Sequence, residues 1–86
     1  MTIQNTSAGE KLLQEKFQYL LRQVRSEAGM RQVDLAAKLG RPQSFVSNYE
    51  AGERGLDIME LRSICEAVGI SLPEFVNRFE EAVKSQ

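Results

Sequence analysis

The chain has 86 residues and a formal net charge of −1, with 11 basic residues, 12 acidic residues, one cysteine and no histidine. A chain of this length forms one small domain with a single core, and a lone cysteine excludes an internal disulfide. Because histidine is the commonest general base and metal ligand, its absence leads us to expect no enzymatic activity, no metal and no cofactor.

The first residues, 1–8, carry neither the basic stretch nor the apolar stretch of a secretory signal peptide, and we interpret them as a flexible N-terminal arm. Residues 9–86 then form a single domain. No apolar run approaches the roughly 18 residues that a membrane-spanning helix needs, so we expect no membrane partner. With one cysteine, the composition is compatible with a reducing compartment, and we expect a cytoplasmic location.

Apolar residues recur at helical spacing and no segment alternates in the manner of a strand, which predicts an all-α fold. The first helix is predicted over about residues 9–28 and ends at Gly29. The second is predicted over residues 32–39 and ends at Gly40, and the third over residues 42–51. These three elements are separated by very short connections.

Capping patterns predict two further helices. Asp57 and Glu60 have the spacing of a capping box, and Ser71 and Glu74 have the same spacing. Gly69 ends the fourth helix, so the whole chain is predicted to form a compact five-helix bundle. The residues expected to face its core are Leu13, Phe17, Leu20, Leu21, Val24 and Ala28; Val33, Leu35, Ala36 and Leu39; Val46 and Tyr49; Ile58, Leu61, Ile64, Cys65 and Val68; and Leu72, Phe75, Val76, Phe79 and Val83.

The segment Gln32–Glu50 forms two short predicted helices joined by a tight turn, with the small residues Ala36 and Gly40 where the two backbones approach. The second helix presents short polar side chains on one side. Amide and hydroxyl groups on a helix suit the base edges that line the major groove of DNA. We therefore predict sequence-specific DNA binding, with bases contacted by Gln43, Ser44, Ser47 and Asn48.

The same segment, followed by Ala51-Gly52-Glu53-Arg54, resembles the helix-turn-helix of the phage-repressor-type regulators, the Cro/C1 or XRE family. The resemblance covers about residues 15–80, including the connection Val68-Gly69-Ile70-Ser71-Leu72. It implies a lambda-repressor-like DNA-binding domain whose helix-turn-helix is formed by helices 2 and 3. It also implies a regulator of transcription, which we expect to be a repressor that binds a two-fold-related operator on double-stranded DNA as a homodimer.

The resemblance assigns roles to individual positions. Gln32 matches a glutamine that contacts phosphate and steadies the start of the recognition helix, and Gln43 matches a base-reading position suited to adenine. Asn48 is predicted to contact a base, and phosphate is the alternative partner for its side chain. Arg25 and Glu50 match a pair that forms a largely enclosed salt bridge between helices 1 and 3. Besides Gln32, the basic residues Arg31, Arg41, Arg54 and Lys38 are predicted from their charge to contact phosphate.

Three positions depart from the family's pattern. Arg31 stands where a Ser or Thr often caps helix 2, so that helix end loses a side-chain cap. Arg41 occupies a turn position that is frequently apolar. Phe45 lies at the edge of the recognition helix, where packing on the bundle and contact with thymine methyl groups are both open, and packing is favoured.

The net charge argues against a strongly basic DNA-binding protein, but the charges are unevenly distributed. Residues 22–54 contain six basic and four acidic residues, whereas residues 55–86 contain three basic and six acidic residues. We therefore expect the acidic excess to lie away from the base-reading surface.

The alternative hypothesis is a protein-interaction module, such as an antitoxin that binds a toxin partner and represses its own operon. The surface of the homodimer is also open. We expect it on helix 5, through Phe79 and Val83, or otherwise on helix 1, through Leu12, Leu13 and Phe17.

Overall fold

The structure, a computed structural model, describes residues 7–85, and the side chains of residues 9–85. Within this range the chain forms five helices and no strand, which confirms the predicted all-α bundle. No helix in the described range combines the length and hydropathy needed to cross a membrane. The helices are α1 Ser7–Glu27, α2 Gln32–Leu39, α3 Gln43–Glu50, α4 Ile58–Val68 and α5 Leu72–Lys84.

The helix boundaries differ slightly from those predicted. Helix α1 begins at Ser7, inside the predicted N-terminal arm, and the rest of that arm, residues 1–6, lies outside the described residues. Helix α3 is shorter than predicted because Pro42 has an extended backbone, with φ −67° and ψ 155°, and precedes the first helical residue.

The turn between α2 and α3 depends on Gly40. Its φ of 68° is the left-handed conformation that only glycine adopts without strain from a Cβ atom. The Gly40 amide donates to the Ala37 carbonyl at 3.1 Å and the Arg41 amide donates to the Ala36 carbonyl at 3.0 Å. These two bonds satisfy carbonyl groups that the end of α2 leaves free, and they set the direction in which the chain enters α3.

The N-terminus of α4 has the predicted capping box in full. The Glu60 amide donates to Asp57 Oδ1 at 2.7 Å, and the Asp57 amide donates to Glu60 Oε1 at 3.1 Å. At α5 only one half forms among the described residues, because the Glu74 amide donates to Ser71 Oγ at 3.1 Å without a return bond from Ser71.

Helix α2 lacks a side-chain acceptor at its N-cap, as the arginine there predicts, because a guanidinium has no lone pair to offer. Asp34 partly replaces it from inside the helix. Its Oδ2 accepts the Arg31 amide at 2.8 Å, which satisfies the backbone group just outside the first turn.

The core lies where all five helices meet, and its most buried large side chains are Leu21, Leu35, Val46, Tyr49, Ile64, Cys65 and Phe75. Aromatic rings connect the first helix to the last. Phe17 on α1 meets Phe75 and Phe79 on α5 edge to face, with ring centroids 6.0 and 6.1 Å apart. This contact fixes the C-terminal helix against the long N-terminal one.

Four residues expected in the core are exposed instead: Leu13 by 38%, Val33 by 42%, Ile58 by 60% and Val76 by 42%. Leu13 and Ile58 lie one turn before Phe17 and Leu61, where α1 and α4 extend past the edge of the core. Around the axis of α2, Val33 is rotated about 200° from the buried Leu35. Around the axis of α5, Val76 is rotated about 100° from the buried Phe75. The prediction that these four side chains face the core is therefore wrong.

One charged residue is buried among the described residues: Glu50, the last residue of α3, which is 2% exposed. Arg25 near the end of α1 binds its carboxylate with two bonds, from Nε to Oε2 at 2.7 Å and from Nη2 to Oε1 at 2.9 Å. Arg25 Nη1 also donates to the Met30 carbonyl at 2.9 Å. This ion pair stands at the positions that the sequence indicates, and it joins α1 directly to α3.

Replacing Glu50 with alanine should leave the Arg25 guanidinium in the bundle without its counter-charge. Removing one partner of a buried pair costs about 3–5 kcal/mol, and we expect a loss near the lower limit because Arg25 remains 15% exposed. The free energy of unfolding, measured by urea denaturation, tests this. The control is Glu27→Ala, which removes a similarly bidentate but exposed partner of Arg78 and should have a small effect. Equal losses in the two variants would contradict a structural role for Glu50.

Candidate nucleic-acid interface

Helix α3 divides into a polar face and a buried face. Gln43, Ser44 and Asn48 are exposed and Ser47 is half-buried, with its hydroxyl donating to the Ser44 carbonyl at 3.3 Å. At about 100° per residue, these four positions cover an arc of about 140° on one side of the helix. The remaining four residues of α3 are all buried. We call the four polar residues the reading face, because they share one accessible surface.

One edge of the reading face is connected to the core. Gln32 Nε2 donates to Glu50 Oε1 at 3.0 Å, and Gln32 Oε1 accepts from Gln43 Nε2 at 3.5 Å. The second contact is long and therefore weak. It nevertheless leaves the Gln43 amide oxygen and a second N–H hydrogen available for a ligand. The buried ion pair and the first residue of the reading face are thus joined through a single glutamine.

The opposite edge of the reading face is formed by Phe45. Its side chain is 7% exposed and its ring meets that of Tyr49 edge to face, with centroids 5.3 Å apart. The alternatives for Phe45 were packing on the bundle and contact with thymine methyl groups, and its burial favours packing. The guanidinium carbons of Arg41 and Arg54 lie 4.2 and 4.8 Å from the centre of the Phe45 ring, within the range of cation–π attraction.

Both of these arginines bind Glu60 near the start of α4. Arg54 is bidentate, with Nη1 and Nη2 donating to the two carboxylate oxygens at 3.0 and 2.9 Å, and Arg41 Nη2 donates at 3.3 Å. The Arg54 bonds lower the pKa of Glu60 to about 2, with smaller contributions from the Asp57 amide and Arg41. Glu60 thus lies beside the Phe45 edge of the reading face and is an exception to the expectation that the acidic excess lies away from that surface.

The other predicted phosphate contacts occupy different surroundings. The Arg31 side chain is 79% exposed and makes two bonds of 3.0 Å to Asp34, which lowers the pKa of that carboxyl. Lys38 Nζ donates to the carbonyl of Ala67 in the last turn of α4 at 3.4 Å. Arg31 therefore lies beside the Gln32 edge, whereas Lys38 faces α4.

Two sets of hydrogen bonds around α3, made by Arg22 and by Glu60, are not predicted from the sequence. Arg22 Nη1 donates to the main-chain carbonyl of Glu50 at 3.1 Å and so satisfies a carbonyl at the end of α3. Arg22 lies one helical turn before Arg25 on α1, and this spacing indicates that both side chains can reach the same residue. The sequence places Glu60 in a capping box and in the acidic excess of residues 55–86, and no local pattern indicates that it also binds two arginines.

The described residues form no cluster suited to a metal ion, and their one cysteine lies in the core. Within residues 7–85, no group of three or more potential ligands from Cys, Asp and Glu lies close enough to hold a metal ion. Cys65 is buried, and burial raises the pKa of its thiol, so the reactive thiolate is scarce at neutral pH.

Comparisons with known proteins agree on one family. A family described as a helix-turn-helix domain matches residues 19–76. Among solved structures, the chain is similar to an XRE-family like protein from Pseudomonas syringae pv. tomato str. DC3000, with a TM-score of 0.82 and 38% identity over 90% of this chain and 94% of that one. A search of curated proteins gives no match.

The chain is also similar to the wild-type restriction-modification controller protein C.Esp1396I, with a TM-score of 0.79 and 27% identity over 86% of this chain and 96% of that one. The tetramer of that controller in complex with its natural 35 base-pair operator gives a TM-score of 0.75 and 28% identity over 83% and 93% of the two chains. The family match spans α2, α3 and α4 and covers more than half of the sequence. The chain therefore belongs to the XRE-type helix-turn-helix regulators.

Proposed function

We propose that this protein binds double-stranded DNA in a sequence-specific manner through α3 and so regulates transcription. The observation that carries the proposal is the reading face, in which Gln43, Ser44 and Asn48 are exposed while the other side of the same helix is held in the core. The major groove admits an α-helix, and a glutamine amide pairs with the N6 and N7 edge of adenine through two bonds. The operator complex of the similar controller protein supports the proposal.

The DNA backbone passes both sides of a helix that lies in the major groove, so phosphate contacts are expected at both edges of the reading face. Gln32 and the exposed Arg31 are suited to one strand because they stand at the start of α2. Arg41 and Arg54 are suited to the other strand because their side chains, each about 40% exposed, flank Phe45. The contribution of Lys38 is the least supported, since it is directed toward α4.

We further propose that two copies act together on a two-fold-related operator and repress transcription by occupying it, in the cytoplasm. A single small domain buries limited DNA surface, so useful specificity requires a second copy. The dimer surface is proposed on α5. Phe79 and Val83 are half-buried there, and Val76 adds an apolar side chain that is 42% exposed.

Replacing Gln43 with alanine should relax the preference for one base pair in each half-site. Loss of a bidentate amide contact costs about 1–3 kcal/mol at that position and leaves the preference at other positions unchanged. The measurement is selection from a random DNA pool, followed by binding of single-base variants of the selected site. Gln14→Ala, an exposed glutamine on α1, serves as the matched control and should bind like the unmodified protein. A uniform loss across all bases, or no loss, would contradict base contact by Gln43, and failure to enrich any sequence would favour a protein-interaction module.

The selected site should contain two inverted half-sites whose centres are about 34 Å apart, or one helical turn of DNA.

Val76→Glu should place a charge on the proposed α5 surface without disturbing the core, because this side chain is already exposed. We expect sedimentation velocity to show fewer dimers, and cooperative binding to the two half-sites to weaken. Binding of a monomer to one half-site by the unmodified protein would contradict the dimer, and an unchanged dimer in Val76→Glu would exclude this surface.

A further inference from the structure

Glu60 holds the two arginines nearest to the Phe45 edge of the reading face. Its carboxylate accepts three guanidinium bonds, two from Arg54 and one from Arg41, at 2.9–3.3 Å. These three side chains and the Phe45 ring form one compact group, which we call the Glu60 clamp. The capping box at α4 requires only one of these carboxylate oxygens, so helix capping alone does not account for the clamp.

The clamp occupies guanidinium donors of a kind that also recognises phosphate. An arginine binds a carboxylate or a phosphate through two parallel N–H groups. In Arg54 both Nη atoms face Glu60, and Nη1 also donates to the Gly55 carbonyl at 2.8 Å. Arg54 keeps its Nε–H and one Nη2–H, but a phosphate that binds both Nη groups end-on, in the position of Glu60, must displace that carboxylate.

The clamp is accessible enough for such an exchange. The Arg41 and Arg54 side chains are 41% and 40% exposed, and the Glu60 side chain is 17% exposed. Ion pairs that remain in contact with solvent are weak, because water and salt compete with them. The high density of negative charge along a DNA duplex makes its phosphates effective competitors for the same donors.

On the basis of the proposed DNA-binding function, we propose that Glu60 is an intramolecular competitor for the DNA backbone. It occupies Arg41 and Arg54 in the free protein, and phosphate takes its place when DNA binds. Because this exchange involves no base, Glu60 lowers the affinity for every DNA sequence by the same factor. Glu60 thereby sets the sequence-independent part of the affinity, while the reading face sets the preference among sequences.

Glu60→Gln tests the proposal with little effect on the fold, because glutamine at this position still accepts the Asp57 amide in a capping box. We expect the variant to bind a short duplex of random sequence about 3- to 10-fold more tightly than the unmodified protein at about 50 mM salt. The difference should diminish toward about 200 mM salt as screening increases. The selected operator should gain by the same factor, so the ratio of the two affinities stays constant.

Two controls distinguish the loss of the negative charge at Glu60 from the loss of one negative charge anywhere on the protein. Glu66→Gln removes one negative charge from the same helix at an exposed residue outside the clamp, and it should change the affinity by about twofold or less. Combining Glu60→Gln with Arg54→Gln restores the original net charge and removes the bidentate donor, so the gain in affinity should disappear. Carboxyl titration by NMR should give Glu60 a pKa of about 2, and Arg54→Gln should raise it toward the ordinary value.

Other outcomes would overturn the proposal. If Glu60→Gln binds random DNA no more tightly than Glu66→Gln, Glu60 does not compete with phosphate. If Glu60→Gln binds less tightly, Glu60 instead holds the arginines in position for DNA. Both outcomes differ from failure of the proposed function itself, in which the unmodified protein binds neither random nor selected DNA.

Discussion

Glu50 brings a negative charge into the core at the last residue of α3, and side chains from α1 and α2 converge on it. Arg25 and Gln32 bind its carboxylate, and Arg22 binds its main-chain carbonyl. A buried carboxylate is stable only when protein donors replace the water that it loses. The relative positions of the first three helices are therefore constrained by the need to surround one carboxylate with donors.

This constraint extends to the surface through Gln32, whose amide binds Glu50 on one side and meets Gln43 on the other. The first polar residue of the reading face is thus oriented from within the core. At the other edge, Phe45 is fixed by packing, but Arg41 and Arg54 are held by the half-buried carboxylate of Glu60. One edge is connected to the core through Gln32, and we propose that the other exchanges its partners when DNA binds, which suits a surface that makes both base contacts and backbone contacts.

The net charge of −1 is compatible with the proposed DNA contact, because acidic residues near the reading face are paired with basic ones. Glu60 is not distant from the proposed interface, because it is paired with two arginines at its Phe45 edge. Pairing keeps Arg41 and Arg54 in place without creating a strongly positive surface in the free protein. Non-specific binding depends almost entirely on such positive charge, so a paired surface limits it.

Much of this arrangement could be predicted from local sequence. Helical spacing, Gly40 and the Asp57–Glu60 box indicate the helices and the turn that orients α3. The predictions that fail concern residues at helix ends or beside a buried neighbour, such as Ile58 and Val76, where hydrophobicity alone does not show which side chain meets the core. The Glu60 clamp joins the turn before α3, the loop after it and the first turn of α4, so no spacing rule anticipates it.

The central claim is that the reading face held by Glu50 is the surface that contacts DNA. The most direct measurement is an NMR titration of the protein with its selected duplex, following backbone amides and the side-chain amides of Gln32, Gln43 and Asn48. We expect these signals to shift together at one protein–DNA stoichiometry, while amides on the exposed face of α1 remain unchanged. Shifts confined to α1 and α5, with Gln43 and Asn48 unaffected, would contradict it.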